Sequence, residues 1–166
     1  GLETGNSTGA NNVAVGHSAM LNYYSASFNT ALGNGAGYFA VDQEYSTYIG
    51  YYTGYYATSS YNTFVGSKAG YGNSSAPYAS GYGNTVVGYN ALKLASTSEG
   101  HTAIGTGALH TTQAGSNNTA VGLNSLYMNS GGSNNVVMGT SAAFYTLGSD
   151  NALIGLEAGF YATGSN

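Results

Sequence analysis

The side chains of this sequence that could do chemistry are 17 tyrosines, three histidines and six carboxylates. Twelve of the tyrosines lie between Tyr38 and Tyr89, and the run Tyr48 to Tyr56 reads Y-I-G-Y-Y-T-G-Y-Y. An exposed tyrosine offers a flat apolar face to a sugar ring and a hydroxyl to its polar edge, at low entropic cost. On that chemistry the candidate ligand-binding residues are Tyr51, Tyr52, Tyr61, Tyr78 and Tyr82. The loops around the single proline, Pro77, carry two of them.

The other groups make a poorer set. His17, His101 and His110 share no spacing with a carboxylate, so surface or corner positions suit them better than metal or base roles. Asp42 and Glu44 are the one close acidic pair and the one place to look for acid/base work or calcium. Calcium-binding rolls repeat their aspartate in every coil, and this chain does not. Gly33-Asn34-Gly35-Ala36-Gly37 has the glycines of a phosphate loop without the Lys-Ser/Thr that completes one. No nucleophile, base and orienting group converge, so the expectation is a protein that is not an enzyme, with no metal and no cofactor.

What must position these residues is a repeat. Gly16, Gly33, Gly50, Gly66, Gly88, Gly105, Gly122, Gly139 and Gly155 recur at 17 residues, with two intervals of 16 and one of 22. Each follows Val15, Leu32, Ile49, Val65, Val87, Ile104, Val121, Met138 or Ile154. Four residues before the glycine stands Asn, replaced only by Ser46 and His101, and three after it a small residue such as Ala108. A period of this kind fills the chain with stacked copies of one supersecondary unit. The expectation is a single array over 1–166, with the long interval projecting as a loop near 71–83.

The residues between Asn and Gly have strand chemistry, mostly Thr, Val, Ala and Ile. A second short extended segment is expected after the Gly-x-x-Ala turn. Alternation puts Thr102 with Ile104 on one side and Ala103 on the other, so both faces are small or apolar and the strand reads as buried twice over. Ala, Val, Ile and Gly are the expected filling of a narrow tube, with a ladder of Asn amides at one corner. Such a core is marginal alone, which predicts an obligate homo-oligomer whose second face is covered by another copy. The column five residues after the glycine, Tyr38, Tyr55, Tyr71, Tyr127, Phe144 and Phe160, predicts an aromatic ladder. Tyr51 and Tyr52, at positions elsewhere polar, are expected to face solvent.

Composition narrows the partners. Only 5% of residues are charged and only Lys68 and Lys93 are basic, which leaves no surface for nucleic acid or anionic lipid. No cysteine is present, so there is no disulfide or thiolate metal site, and no apolar run is long enough to insert in a membrane. The chain reads as an excised piece of a longer fibre.

The N-x-A-[IV]-G-x-x-[AS] unit, clearest over Asn84 to Gly139, resembles the head repeats of YadA-like trimeric autotransporter adhesins. It is still more similar to the N-T-A-[IV]-G-x-x-A-L repeats of phage tail fibres and related bacterial fibre proteins. The resemblance implies an all-β fold, a left-handed parallel β-roll or β-solenoid of about nine coils of 16–17 residues, assembled as a parallel homotrimer. It also implies an extracellular place on a cell-surface or virion fibre, with host recognition or cell adhesion as the role and a surface glycan or other receptor as partner. Two rivals stand beside it. One is a spacer that binds nothing. The other is an ice- or crystal-binding solenoid, because Thr30, Thr47, Thr63, Thr85, Thr102 and Thr119 form a regular row.

Overall fold

A computed structural model describes residues 8–39, 41–72, 81–95, 99–112, 115–146, 148–162 and 164. The chain is a parallel β-solenoid, and among the described residues there is no helix. The strand before each glycine forms one nine-stranded sheet: β1 (Val13–Val15), β2 (Thr30–Leu32), β3 (Thr47–Ile49), β4 (Thr63–Val65), β5 (Thr85–Val87), β7 (Thr102–Ile104), β9 (Thr119–Val121), β11 (Val136–Met138) and β13 (Ala152–Ile154). At ~4.8 Å per strand it is roughly 40 Å long. The expected second extended segment is regular only in the later repeats, where β6 (Leu94–Ala95), β8 (Thr111–Thr112), β10 (Met128–Asn129), β12 (Tyr145–Thr146) and β14 (Tyr161–Ala162) make a five-stranded parallel sheet.

Irregular spacing does not disturb the register. Thr47 pairs with Thr63 across a 16-residue interval, and Thr63 with Thr85 across the 22-residue one. Length differences are absorbed between strands, because a slip of one residue would turn every side chain to the opposite face. Residues 73–80 of the long interval, including Pro77 and Tyr78, lie outside the described residues, and with them most of the loop expected near 71–83.

The glycine column has a steric cause. Gly105 sits at φ 132°, and a Cβ there would lie 2.4 Å from the carbonyl oxygen of Gly122 on the next coil. Neither the conformation nor the stacking admits a side chain.

The core corrects the expected filling. Isoleucine is outside, and the largest fully buried side chains are Tyr48, Phe64, Met20, Leu92, Leu109 and Leu126. Three columns face inward, the middle residue of each strand, the small residue three after the glycine and the residue four after it, and in most coils the volumes of the first and last trade off. Ala103 and Ala120 are paired with Leu109 and Leu126, Val137 with Ala143, and Tyr48 and Phe64 with Gly54 and Gly70. A Cβ on Gly54 would meet Tyr48 Cδ1 at 2.4 Å, and one on Gly70 would meet Phe64 Cε2 at 2.3 Å. Interiors pack near crystal density, so a tube of fixed bore requires this exchange.

The corner ladder is present, with a different hydrogen-bond logic from a row of amides donating to one another. Each buried Asn accepts at Oδ1 from the backbone N–H of its counterpart on the next coil, as Asn12 does from Asn29 (2.9 Å) and Asn118 from Asn135 (2.9 Å). The Nδ2 donates to a loop carbonyl, Asn118 to Gly132 at 2.9 Å. Amide-to-amide bonds are additional on some rungs, such as Asn151 to Asn135. The exceptions obey the same rule: Ser46 Oγ accepts from Asn62, and His101 Nδ1 accepts from Asn118. The column requires an acceptor rather than an amide.

The strands are not buried on both faces in the single chain. Thr and aliphatic columns point outward: Leu32 is 46% exposed, Ile104 40%, Met138 42% and Ile154 71%. The result is a flat strip of methyl and hydroxyl groups, without a charge, running the length of the nine-stranded sheet.

Candidate functional site

The five candidate tyrosines separate to opposite ends of the strands. Tyr51 and Tyr52 follow β3 at the glycine corner, whereas Tyr61 precedes β4 at the Asn corner, and β3 and β4 are in register. Tyr82 joins Tyr61, since it immediately precedes Gly83, whose N–H donates to the Ser60 carbonyl (3.3 Å). Tyr78 lies outside the described residues.

At the glycine corner only Tyr51 is as exposed as expected. Tyr52 is half-buried, because Gly35 on the preceding coil leaves the space its ring occupies; a Cβ there would lie 2.3 Å from Tyr52 Cδ1. The two rings stack at 4.1 Å, and Tyr52 leans on Tyr55 at 4.8 Å. Its hydrogen bond to Tyr51 raises the Tyr52 hydroxyl pKa above the ordinary value, with Lys68 opposing. Behind them runs the predicted ladder. Tyr38 stacks on Tyr55 (4.6 Å) and Tyr55 on Tyr71 (5.5 Å); Lys93 then interrupts the column, and His110, Tyr127, Phe144 and Phe160 form a second stack at 4.6, 4.7 and 5.1 Å. Burial and the crowd of neighbouring phenols push Tyr55 up to about 12. This cluster is a packed seam with one exposed ring, Tyr51, stacked at its edge.

The Asn corner holds an arrangement that the glycine-based frame missed. Phe28, Tyr45 and Tyr61 are parallel, with centroids 5.0 and 5.5 Å apart and planes 1° and 9° from parallel. All three are about half exposed or more: 48%, 52% and 59%. They occupy the position just before the ladder residue, where the backbone is left-handed in every coil; elsewhere that column reads Asn11, Gly83, Gly100, Asn117, Asn134 and Asp150. Asn, Asp and Gly are the residues for that conformation, and a bulky ring in it is an outlier. The sequence signal was three aromatics in an Asn/Gly column.

The stack ends abruptly. Gly83 follows Tyr61 in the column, and among the described residues other than its chain neighbours nothing lies within 4 Å of where its Cβ would be. Gly100 comes next, with Asn117 Oδ1 leaning over it, 2.3 Å from its would-be Cβ. Two glycines, Gly83 and Gly100, therefore stand between Tyr61 and Asn117 in the column. Just before these glycines in the chain stand Tyr82, 56% exposed, and Glu99, whose hydrogen bond raises the Tyr82 hydroxyl pKa.

The remaining polar groups do not assemble. Asp42 and Glu44 are exposed on either side of buried Gln43, Asp42 accepts from Ser25 Oγ, and Glu44 N–H donates to Ser60 Oγ. Among the described residues no three His, Asp or Glu come together as a metal set. His17 is exposed beside Ser18. His110 is stacked in the ladder with its pKa lowered, by burial first and by Lys93 second. His101 is a rung of the corner.

These features define a β-solenoid repeat protein with an open flat sheet face and two aromatic corners. Comparison with family models, with curated proteins and with solved structures yields no match to the chain.

Proposed function

We propose that the chain is a non-enzymatic segment of an extracellular fibre, on a cell surface or a virion, that serves attachment. In this reading left-handed solenoids of about nine coils assemble as a parallel homotrimer, and the aromatic corners meet a surface glycan or other receptor. The observation that carries it is the uncharged outward strip of the nine-stranded sheet. A continuous exposed apolar surface of that length marks an interaction site. Its registered rungs suit a partner of the same rise, and another copy of the chain has that rise. In a three-fold arrangement the Thr border of one copy meets the aliphatic border of the next, a heterologous contact that closes. The trimer number itself comes from the resemblance to fibre repeats.

Sedimentation equilibrium tests the assembly, with three times the chain mass expected and a stable monomer overturning it. Binding of the chain to intact cells or to a glycan array tests attachment, and a fibre that binds neither is a spacer.

A second reading is favoured by one observation: the Thr column points out of the solenoid on the flat face, with Thr63 and Thr85 exposed. A planar row of threonines is what an ice- or crystal-binding surface needs. Thermal hysteresis in the native chain, abolished by joint Thr85→Val, Thr102→Val and Thr119→Val, would establish it in place of the trimer interface.

A further inference from the structure

The residue after each column glycine alternates in size from coil to coil without exception. His17, Tyr51, Tyr89, Leu123 and Leu156 stand in every second coil, and Asn34, Ser67, Thr106 and Thr140 stand between them. All of these belong to the described residues, and the bulky members from Tyr51 onward are about half exposed or more. At each step from His17 to Thr140 the carbonyl of the column residue accepts from a backbone N–H of the next coil, at 2.8–3.1 Å. The corner thus keeps one rise per coil, and the bulky side chains stand two rises, about 9.6 Å, apart. The core has no such two-coil period, since adjacent coils pair Ala103 with Leu109 and Ala120 with Leu126. Packing of the single chain therefore does not require the alternation.

Tyr51 shows how such a knob is presented. One face stacks on Tyr52 at 4.1 Å, the two hydroxyls are hydrogen-bonded, and Tyr52 is seated over Gly35. Tyr55 is stacked with Tyr38 and Tyr71 along the fibre axis. The Tyr52 plane is 60° from that of Tyr55 and the Tyr51 plane 23° from that of Tyr52, so Tyr51 is turned from the ladder planes by at least 60° less 23°, or 37°. Its outer face is turned away from the axis and toward the flank of the fibre. Phe28, Tyr45 and Tyr61, by contrast, lie parallel in an axial stack and offer the flank their edges. A ring held in place before binding loses little entropy on binding.

A ligand that uses the whole ridge must be extended, lie along the axis and repeat over about 9.6 Å. A β-1,4-linked chain of pyranoses does so. Successive rings turn over, so the same face recurs at every second sugar and at close to this distance. The hydroxyls of Ser67, Thr106 and Thr140 between the knobs can donate to or accept from the intervening sugars. No residue of the column is acidic, lysine or arginine, so the polymer that matches it is neutral.

We propose that the ridge at the glycine corner is a binding track for a neutral β-1,4-linked polysaccharide of the glucan or chitin type, laid along the solenoid with one disaccharide to every two coils. The inference rests on the attachment reading above and narrows it to a place and a ligand class.

The test measures binding of cello- and chito-oligosaccharides of two, four and six sugars to the full chain, with malto-oligosaccharides as the α-linked control. From Tyr51 to Leu156 the track is six rises, ~29 Å, long, so affinity for the β-linked series should climb at least about tenfold from dimer to hexamer. The series that binds identifies the source as glucan or chitin. Tyr89→Thr combined with Thr106→Tyr moves one knob by a coil at constant composition, and neither position is in left-handed backbone. This exchange should leave melting unchanged and weaken hexamer binding at least about tenfold. Tyr51→Ala, which only trims an exposed ring, should weaken it similarly and keeps the track testable if the exchange alters melting. Hexamer binding that survives the exchange in a chain of native melting, or that is equal for the malto series, overturns the track. Attachment to intact cells without binding of any β-linked oligosaccharide overturns the track and leaves attachment standing, whereas absence of both overturns both. Self-association of the native chain that the exchange abolishes, with no sugar bound, assigns the ridge to contact between copies and overturns the track as well.

Discussion

The backbone N–H of Asn118 donates to Nδ1 of His101 at 3.1 Å, from one coil to the next. That bond requires the neutral imidazole at a site only 1% exposed. Burial lowers the His101 pKa from 6.5 to about 4. Because the folded value lies below the unfolded one, the unfolded chain takes the proton first as pH falls. Stability is complete above about pH 6.5, declines through the interval and has lost its full share below about pH 4, roughly 3 kcal/mol. Denaturant melts of the native chain and of His101→Asn between pH 7 and 4 should diverge by about that amount, with the variant, which restores the usual acceptor, the flatter. Parallel curves would show that the histidine is not a buried neutral rung.

The pairing of Tyr48 with Gly54 makes a second prediction. Tyr48→Ala empties the tube and should cost about 3–5 kcal/mol. Gly54→Leu alone should be worse than neutral, since the ring already occupies its space. Together they rebuild the Ala103 and Leu109 arrangement, in which Leu109 is left-handed at φ 51°. The double variant should recover at least half of the loss, and equilibrium unfolding of the three chains measures it. Strict additivity would refute the exchange of volume.

How much of this could be read in advance follows from where each column's requirement is written. The glycine column was legible because one residue type satisfies both φ 132° and the approach of Gly122 to Gly105. The ladder was legible at Asn118, but Ser46 and His101 looked like lapses until their shared acceptor role appeared. The core was misjudged because the strand alternates with period two only over three residues, whereas Leu109 turns inward from a left-handed turn that no simple period describes. Tyr52 looked free because Gly35, which makes room for it, is 17 residues earlier. The exposed face was legible as apolar; whether water or a second chain meets it is not encoded in the repeat.

An interior glycine of the column and the ninth, Gly155, should respond differently to the same change. Gly105→Ala puts a methyl 2.4 Å from the Gly122 carbonyl oxygen, whereas among the described residues the nearest to a Cβ on Gly155, at φ 131°, is Ala158 at 3.8 Å. Both substitutions carry the conformational penalty of about 1–2 kcal/mol. Only the first adds a backbone clash that must open the stack. Gly105→Ala should therefore lower stability by several kcal/mol or prevent folding, and Gly155→Ala by no more than about 2 kcal/mol. Equal effects in thermal melts would mean that strain, and not stacking, keeps the column glycine.

The outward strip makes the last prediction. Ile104 lies mid-sheet on the nine-stranded face at 40% exposure, and Met128 lies on the outer side of the five-stranded sheet at 41%. In a monomer the two positions are equivalent, and a lysine at either should change stability by no more than about 0.5 kcal/mol. In the proposed assembly Ile104 is covered by another copy and Met128 is not. A buried unpaired ammonium is expensive, and repetition around a three-fold axis brings three of them together. Ile104→Lys should then shift sedimentation to the single-chain mass and lower the melting temperature, while Met128→Lys changes neither. Dissociation by Met128→Lys instead would move the interface to the five-stranded sheet. Indifference to both would leave the nine-stranded face open to water, as a flat threonine surface for ice or crystal requires.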